Sequence, residues 1–146
     1  MLSALDISAS GLVAQRMRMF QISNNIANIK STHTSSGEKV PYQPKSVVFE
    51  TVEAGEAPGT LGPGLGAAGV KVSSVQTLPA EPIWRSEPNH PDAMQAGPHA
   101  GEVAYPNIDL MTEFTNALEA ARSYEANLGA MDITKDMEQQ TLKILA

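Results

Sequence analysis

The chain has 146 residues, a formal net charge of −6 and no cysteine. That length suits one domain and is too short for a two-domain enzyme. An acidic balance without a basic cluster argues against nucleic acid as the main partner, and the missing cysteine excludes disulfides, thiol catalysis and Cys-based zinc sites. All ten prolines and nine of the eleven glycines lie between residues 37 and 106, which leaves the two ends free to be helical.

Residues 1–30 read as one amphipathic helix. Ser3 followed three residues on by Asp6 is a variant of the capping box. Leu5, Leu12, Met19 and Ile26 recur every seven residues, and Ile22 and Ile29 follow the last two by three, which makes one apolar seam. Gly11 within this pattern costs about 1 kcal/mol relative to Ala, so it points to a close backbone approach or a local kink. The stretch from Leu2 to Val13 is interrupted by Ser3, Asp6, Ser8, Ser10 and Gly11. It lacks the charged and apolar regions of a secretory signal, so export would need another route.

Residues 31–106 form an insert with strand character. The runs 46–52 and 70–78 are β-branched and of strand length. Between them, residues 54–69 hold six glycines and two prolines in sixteen positions, the composition of a flexible loop. Residues Ile83, Trp84 and Arg85 suggest a third short strand, and 88–106 reads as a proline-rich connector. Tyr42, Phe49, Trp84 and Tyr105 are available to a small central core.

Residues 107–146 carry the stronger helical signal. Leu110, Phe114, Ala117, Ala121, Tyr124, Leu128, Met131, Lys135, Glu138, Leu142 and Leu145 are spaced alternately by four and three, as in a coiled-coil seam. Asn107 after Pro106 is the expected N-cap, and Asp109, Glu113 and Lys143 suit the helix dipole. One helix over 107–145 would span roughly 58 Å, more than a compact globule of this size comfortably contains. The fold expected is mainly α: long N- and C-terminal helices forming a coiled-coil-like pair, with a small irregular β-rich middle. A helical hairpin within one chain accounts for one seam on each helix. Met111, Leu118, Ile133, Met137 and Ile144 are displaced from that seam, so the apolar surface is wider than one partner helix covers. The surplus is expected to meet other subunits, and head-to-tail contacts of that kind build rings or open helical assemblies.

Catalytic patterns are weak. His33, His90 and His99 do not fall in HxxH or HExxH spacing, and solvated loop histidines explain them better than a metal site with Asp92. No GxSxG, Walker or GxGxxG pattern occurs; Gly62, Gly64 and Gly66 have neither a phosphate-binding Lys nor a strand-to-helix context. Glu50, Glu53 and Glu56 fall at a strand end and loop, where solvated charges are the expected role. Neither an enzyme activity nor a cofactor nor a small-molecule substrate is expected.

Specific segments carry a family resemblance. Ser10 to Asn28, SGLVAQRMRMFQISNNIAN, resembles the N-terminal signature of bacterial flagellar rod and hook proteins, with its Ser-Gly-Leu start and Asn-Asn-Ile-Ala-Asn end. Pro41-Tyr42 ahead of Val47-Val48-Phe49, Gly69-Val70-Lys71-Val72, His90-Pro91-Asp92-Ala93 and Tyr105-Pro106-Asn107 are similar to the proximal-rod members of that family. So are ARSYEAN over 121–127, Thr134-Lys135, Met137 and Thr141-Leu142. The resemblance covers both ends almost continuously and the middle in islands, and the short length favours a proximal-rod protein.

What the resemblance implies is a structural subunit of the basal-body proximal rod that transmits torque through axially packed helices. Such a subunit leaves through the flagellar type III export apparatus without a cleaved signal and assembles in the periplasm. Its partners would be copies of itself, other rod proteins and the membrane-ring adaptor. The expected assembly interface comprises Leu5, Gly11, Leu12, Met19, Ile22 and Ile26 of the first helix with Phe114, Ala121, Tyr124, Asn127, Leu128, Met131, Leu142 and Leu145 of the last, paired within or between subunits. Asn24, Asn25 and Asn28 are expected to set lateral register, because paired amides in a helical seam fix partner choice; an ordinary frayed helix end is the plainer explanation of them. A soluble helical adaptor or export chaperone is the alternative. It would also show two amphipathic helices but has no need of the proline-rich middle.

Overall fold

A computed structural model describes residues 2–33, 37–52 and 69–145. The loop expected over 54–69 lies outside the described residues except for Gly69. The elements run α1 (Leu2–Ala27), β1 (Lys45–Val52), β2 (Gly69–Thr77), β3 (Ile83–Ser86), β4 (Glu102–Tyr105) and α2 (Leu110–Leu145). With 26 and 36 residues in its two helices, the protein is mainly helical, with small sheets in the middle of the chain.

Two helix ends, the close of α1 and the start of α2, have an identifiable cause. Leu2 and Ser3 are already helical, so Ser3 is not the cap; helix ends shift by a residue or two when no tertiary contact pins them. At the other end of α1, Asn28 turns the chain. Its side-chain Nδ2 donates to the Asn24 carbonyl at 2.8 Å, its Oδ1 accepts from the Ser31 hydroxyl at 3.0 Å, and its own carbonyl accepts from the Ser31 N–H at 3.0 Å. The Asn24 carbonyl also accepts the last helical bond, from the Asn28 N–H at 3.1 Å, so the side chain reinforces the turn that ends the helix. At the start of α2 the cap is Asp109, not Asn107. Asp109 Oδ1 accepts from the Met111 N–H at 3.0 Å and Oδ2 from the Thr112 hydroxyl at 2.7 Å, which hold its carboxyl below the usual range. Asn107 loses that role because Ile108 is buried, which keeps 107–109 in a non-helical approach.

The strands form two separate pairs, β1 with β2 and β3 with β4. The second is antiparallel, with Ile83 opposite Tyr105, Trp84 opposite Ala104, Arg85 opposite Val103 and Ser86 opposite Glu102. β4 corrects the reading of 88–106 as a connector throughout: four residues at its end pair with β3. Gly101 adopts φ +82° just ahead of β4, a left-handed conformation that Gly accepts without strain.

The chain divides into two units. In the first, built from Met1–Phe20, Val47–Val75 and Ala117–Ala146, the buried apolar residues are Ala14 and Ala120. β2 is tied to α1 by Ser10, whose Oγ accepts from the Val70 N–H at 3.0 Å and donates to the Ile7 carbonyl at 2.7 Å. The next residue faces the other helix: a Cβ on Gly11 would sit 2.9 Å from Asn127 Nδ2. Gly11 therefore marks a close approach of helices, and Arg18 pairs with Glu119 at 3.0 Å further along the same antiparallel pair.

In the second unit, Gln21–Ser46 with Gln76–Asn116, the core holds Ile22, Ala93, Val103 and Ile108 together with the amides of Gln21 and Asn25. The four aromatic residues do not form one core. Phe49 belongs to the first unit; in the second, Tyr42 joins the Asn25 network, Trp84 stacks on His99 at 4.0 Å, and Tyr105 lies under the Arg85 guanidinium at 5.3 Å. The hydroxyls of Tyr42 and Tyr105 bond to Asn25 and Glu87, while Trp84 is held by its ring face.

Candidate assembly interface

The helix surfaces separate into a small-residue contact and a large-residue exposed face. Within the first unit, α1 and α2 meet through Gly11 with Asn127, through Arg18 with Glu119, and near the buried Ala14 and Ala120. Within the second, Asn25 reaches Glu113. Gly11, Ala14 and Ala120 let the helix backbones approach, and many of the larger apolar residues of both helices stand exposed.

Of the residues expected at the interface, Leu5, Leu12, Met19, Ile26, Ala121, Tyr124, Asn127 and Met131 are half-buried, as is Gly11, and Ile22 is buried. Phe114, Leu128 and Leu142 are exposed at 50%, 45% and 67%. The side chain of Leu145 lies outside those described. The displaced set stands further out still: Met111, Leu118, Ile133, Met137 and Ile144 are 51% to 84% exposed. On α1, Ile7, Val13, Met17 and Phe20 are exposed as well, with Phe20 at 61%; periodicity did not single these out, because they lie off the Leu5 to Ile26 seam. Large exposed apolar residues are ordinary singly and informative in numbers.

The three asparagines play different parts. Asn25 is 3% exposed and spends its amide inside the chain. Its Nδ2 donates to the Lys45 carbonyl at 2.9 Å and to Glu113 Oε1 at 3.2 Å, while its Oδ1 accepts from the Lys45 N–H at 3.0 Å and the Tyr42 hydroxyl at 3.1 Å. The pair of bonds to the N–H and C=O of Lys45 fixes the start of β1 against α1. Burial raises the Tyr42 phenol, against a lowering by the Gln21 bond, and the Glu113 charge raises it further. Asn28 shapes the helix end, as described above, and Asn24 is half-buried. Nothing in the sequence marked Lys45, Tyr42 or Glu113 as partners of Asn25; the Asn-Asn pair alone was the visible signal.

The histidines serve the loops. Asp92 Oδ2 accepts from the Thr32 hydroxyl at 2.7 Å, Oδ1 lies 3.0 Å from His33 Nε2, and the backbone N–H of Asp92 donates to His90 Nδ1 at 3.1 Å. The Thr32 bond foremost, with the neighbouring His33, His90 and Lys39 acting the same way against some desolvation, lowers the Asp92 carboxyl. Among the described residues no cluster of three or more His, Asp or Glu side chains is arranged to hold a metal ion, and no helix is long and apolar enough to cross a membrane.

Residues 99–144 match the family model for the C-terminal region of the flagellar basal body rod FlgEFG proteins. Long terminal helices with exposed apolar faces, joined to this match, define the class: a structural protein of the flagellar basal-body rod. The flagellar basal-body rod protein FlgC of Bacillus subtilis is 36% identical over 149 residues, covering 97% of this chain and 95% of the relative. The FlgC proteins of Borreliella burgdorferi and Salmonella typhimurium are 33% and 35% identical over 98% and 99% of this chain, and 96% and 97% of their own lengths. The chain belongs to the FlgC family. It is a structural rod subunit of the basal body, assembling with other rod components in the service of motility, and not an enzyme; an adaptor or export chaperone is not favoured.

Proposed function

We propose that this subunit builds the proximal rod, reaching the periplasm through the flagellar export apparatus and packing against copies of itself, other rod proteins and the membrane-ring adaptor. The observation that carries the reading is the exposed large apolar residues of both helices, such as Phe20, Phe114, Leu128 and Ile133. A helix that presents such residues on faces its own partner helix does not cover is suited to bury them on neighbours. In this reading α1 and α2 form a coiled-coil-like pair through Gly11, Arg18 and Asn25, positions seven apart that meet Asn127, Glu119 and Glu113. The outward residues then pack between subunits and carry torque along the axis.

The same reading divides the asparagines by task. Asn25 and Asn28 hold the shape of the unit around them, and Asn24 is the member of the three available to a neighbour. Leu128 is the direct test. Its 45% exposure means that Leu128→Glu should leave the isolated chain folded, whereas a charge in a buried subunit contact should abolish rod assembly and swimming. A motile Leu128→Glu strain would refute the packing.

A further inference from the structure

A cavity of about 120 Å³ opens in the second unit beside the end of α1, walled by Ile29, Ile83, Pro106 and Ile108. Its rim carries two cations, Lys30 and Arg85, both exposed. Arg85 lies over the Tyr105 ring, which orients the guanidinium without neutralising it. Among the described residues neither cation has a carboxylate partner. A hollow in which isoleucine and proline side chains share the lining with Tyr105 and these two cations fits a ligand that is apolar at its tip and anionic beside it. The volume is close to the ~150 Å³ that accommodates a benzene ring, hence suited to one branched or thioether side chain.

The chain itself presents that combination. Ile133 and Met137, 64% and 51% exposed, are four residues apart and form one ridge of α2, and Asp132 and Asp136 form a parallel anionic row next to it. Both aspartates are exposed and have no ion pair among the described residues. Three other acidic residues of this region are engaged, Asp109 capping the helix, Glu113 accepting from Asn25 and Glu119 holding Arg18; Glu125 and Glu138 stand singly, whereas Asp132 and Asp136 make a two-residue row beside the Ile133 and Met137 ridge. Residues 107–146 carry seven acids against three bases, so the general charge of this helix also favours a positive receptor.

We propose that the cavity walled by Ile29, Ile83, Pro106 and Ile108 receives Ile133 or Met137 from a second copy of this chain, with Lys30 and Arg85 pairing with that copy's Asp132 and Asp136. Receptor and ridge are different surfaces, so the contact is head to tail and builds a ring or an open helical assembly. The inference rests on the rod reading and adds to it which two surfaces meet.

The absence of cysteine makes the test clean. A strain co-produces two differently tagged full-length chains, one Lys30→Cys and one Asp132→Cys; purified basal bodies are treated with a short bis-maleimide. The result expected is a mixed-tag dimer that neither variant gives alone. In parallel, Lys30→Glu with Arg85→Glu should lower incorporation at least about tenfold, because it sets like charges opposite one another; adding Asp132→Lys and Asp136→Lys in the same chain should restore it. All four positions are exposed and have no ion pair among the described residues, and the one ring contact among them is that of Arg85 with Tyr105, so circular dichroism should show the helices of the monomer unchanged. Basal bodies that contain the chain but give no mixed dimer, or no recovery on double reversal, overturn this docking and leave the rod reading standing. Absence of the unsubstituted chain from basal bodies overturns the rod reading, and the docking with it.

Discussion

Asn25→Ala is expected to destabilise the isolated chain by about 2–4 kcal/mol. The substitution removes two bonds to the Lys45 backbone, one from the Tyr42 hydroxyl, one to Glu113 Oε1 and a longer one from Gln21 Nε2, which keeps its contact with the Tyr42 hydroxyl. Lys45 is exposed, so its peptide regains water at little cost. Glu113 does not escape so readily, because its Oε2 is already buried without a hydrogen-bond partner and Oε1 loses the Asn25 donor. Stranding a buried polar group costs about 1–3 kcal/mol, and Glu113 and the Tyr42 hydroxyl are the two groups affected. For a domain of this size the loss corresponds to a fall in Tm of roughly 5–15 °C. Urea and thermal unfolding followed by circular dichroism measure it. Asn25→Asp should be worse than Ala at neutral pH, since it keeps the acceptor but sets a second carboxylate against Glu113. An Asn25→Ala chain within about 0.5 kcal/mol of the parent would refute the assignment of Asn25 as the tie between α1, β1 and α2.

Three further outcomes are expected. Gly11→Ala should destabilise, because its Cβ would fall 2.9 Å from Asn127 Nδ2; in an Asn127→Ala background the same change should stabilise by up to about 1 kcal/mol through helix propensity, and a double-mutant cycle without coupling would contradict the close approach. Asp92 has a carboxyl lowered in the folded state, so folding favours its ionised form: its contribution is present above the ordinary carboxylate range and is lost as pH falls through the depressed value. Asp92→Asn should therefore flatten the acid limb of a stability-against-pH curve, and an unchanged limb would contradict the role. Ser10→Ala should loosen β2 from α1, seen as faster amide exchange at Val70, whose N–H is bonded to Ser10 Oγ; unchanged protection there would remove the tie.

The helices were legible because their signals are long and repeated, and because prolines and glycines are confined to the middle. Their exact starts were not, since Asp109 and Asn107 are both good caps and burial of Ile108 decides between them. β4 escaped notice because Glu102–Tyr105 is only four residues long and follows a run rich in Gly and Pro. The helix contact was the harder part. Seven-residue spacing draws the eye to large side chains; of these Ile22 is buried and Leu5, Leu12, Met19 and Ile26 are half-buried, but Ala14 and Ala120 are buried too, and Leu128 and Phe114 are exposed. Gly11 was readable as a close approach from its helical context, although its partner Asn127 was not. Asn25 looked like a helix-end residue; what makes it an internal hub is Lys45, Tyr42 and Glu113, whose proximity depends on tertiary structure.

Methionine oxidation tests most directly whether the outward helix faces are the ones the rod covers. Met111 and Met137 are 71% and 51% exposed, and thioether oxidation follows accessibility. Purified chain and intact basal bodies would be given the same brief peroxide treatment and the two methionines quantified by mass spectrometry. Rapid oxidation of both in the free chain with strong protection in the rod is the result expected. Equal oxidation of both residues in the two samples would contradict the burial of these faces between subunits.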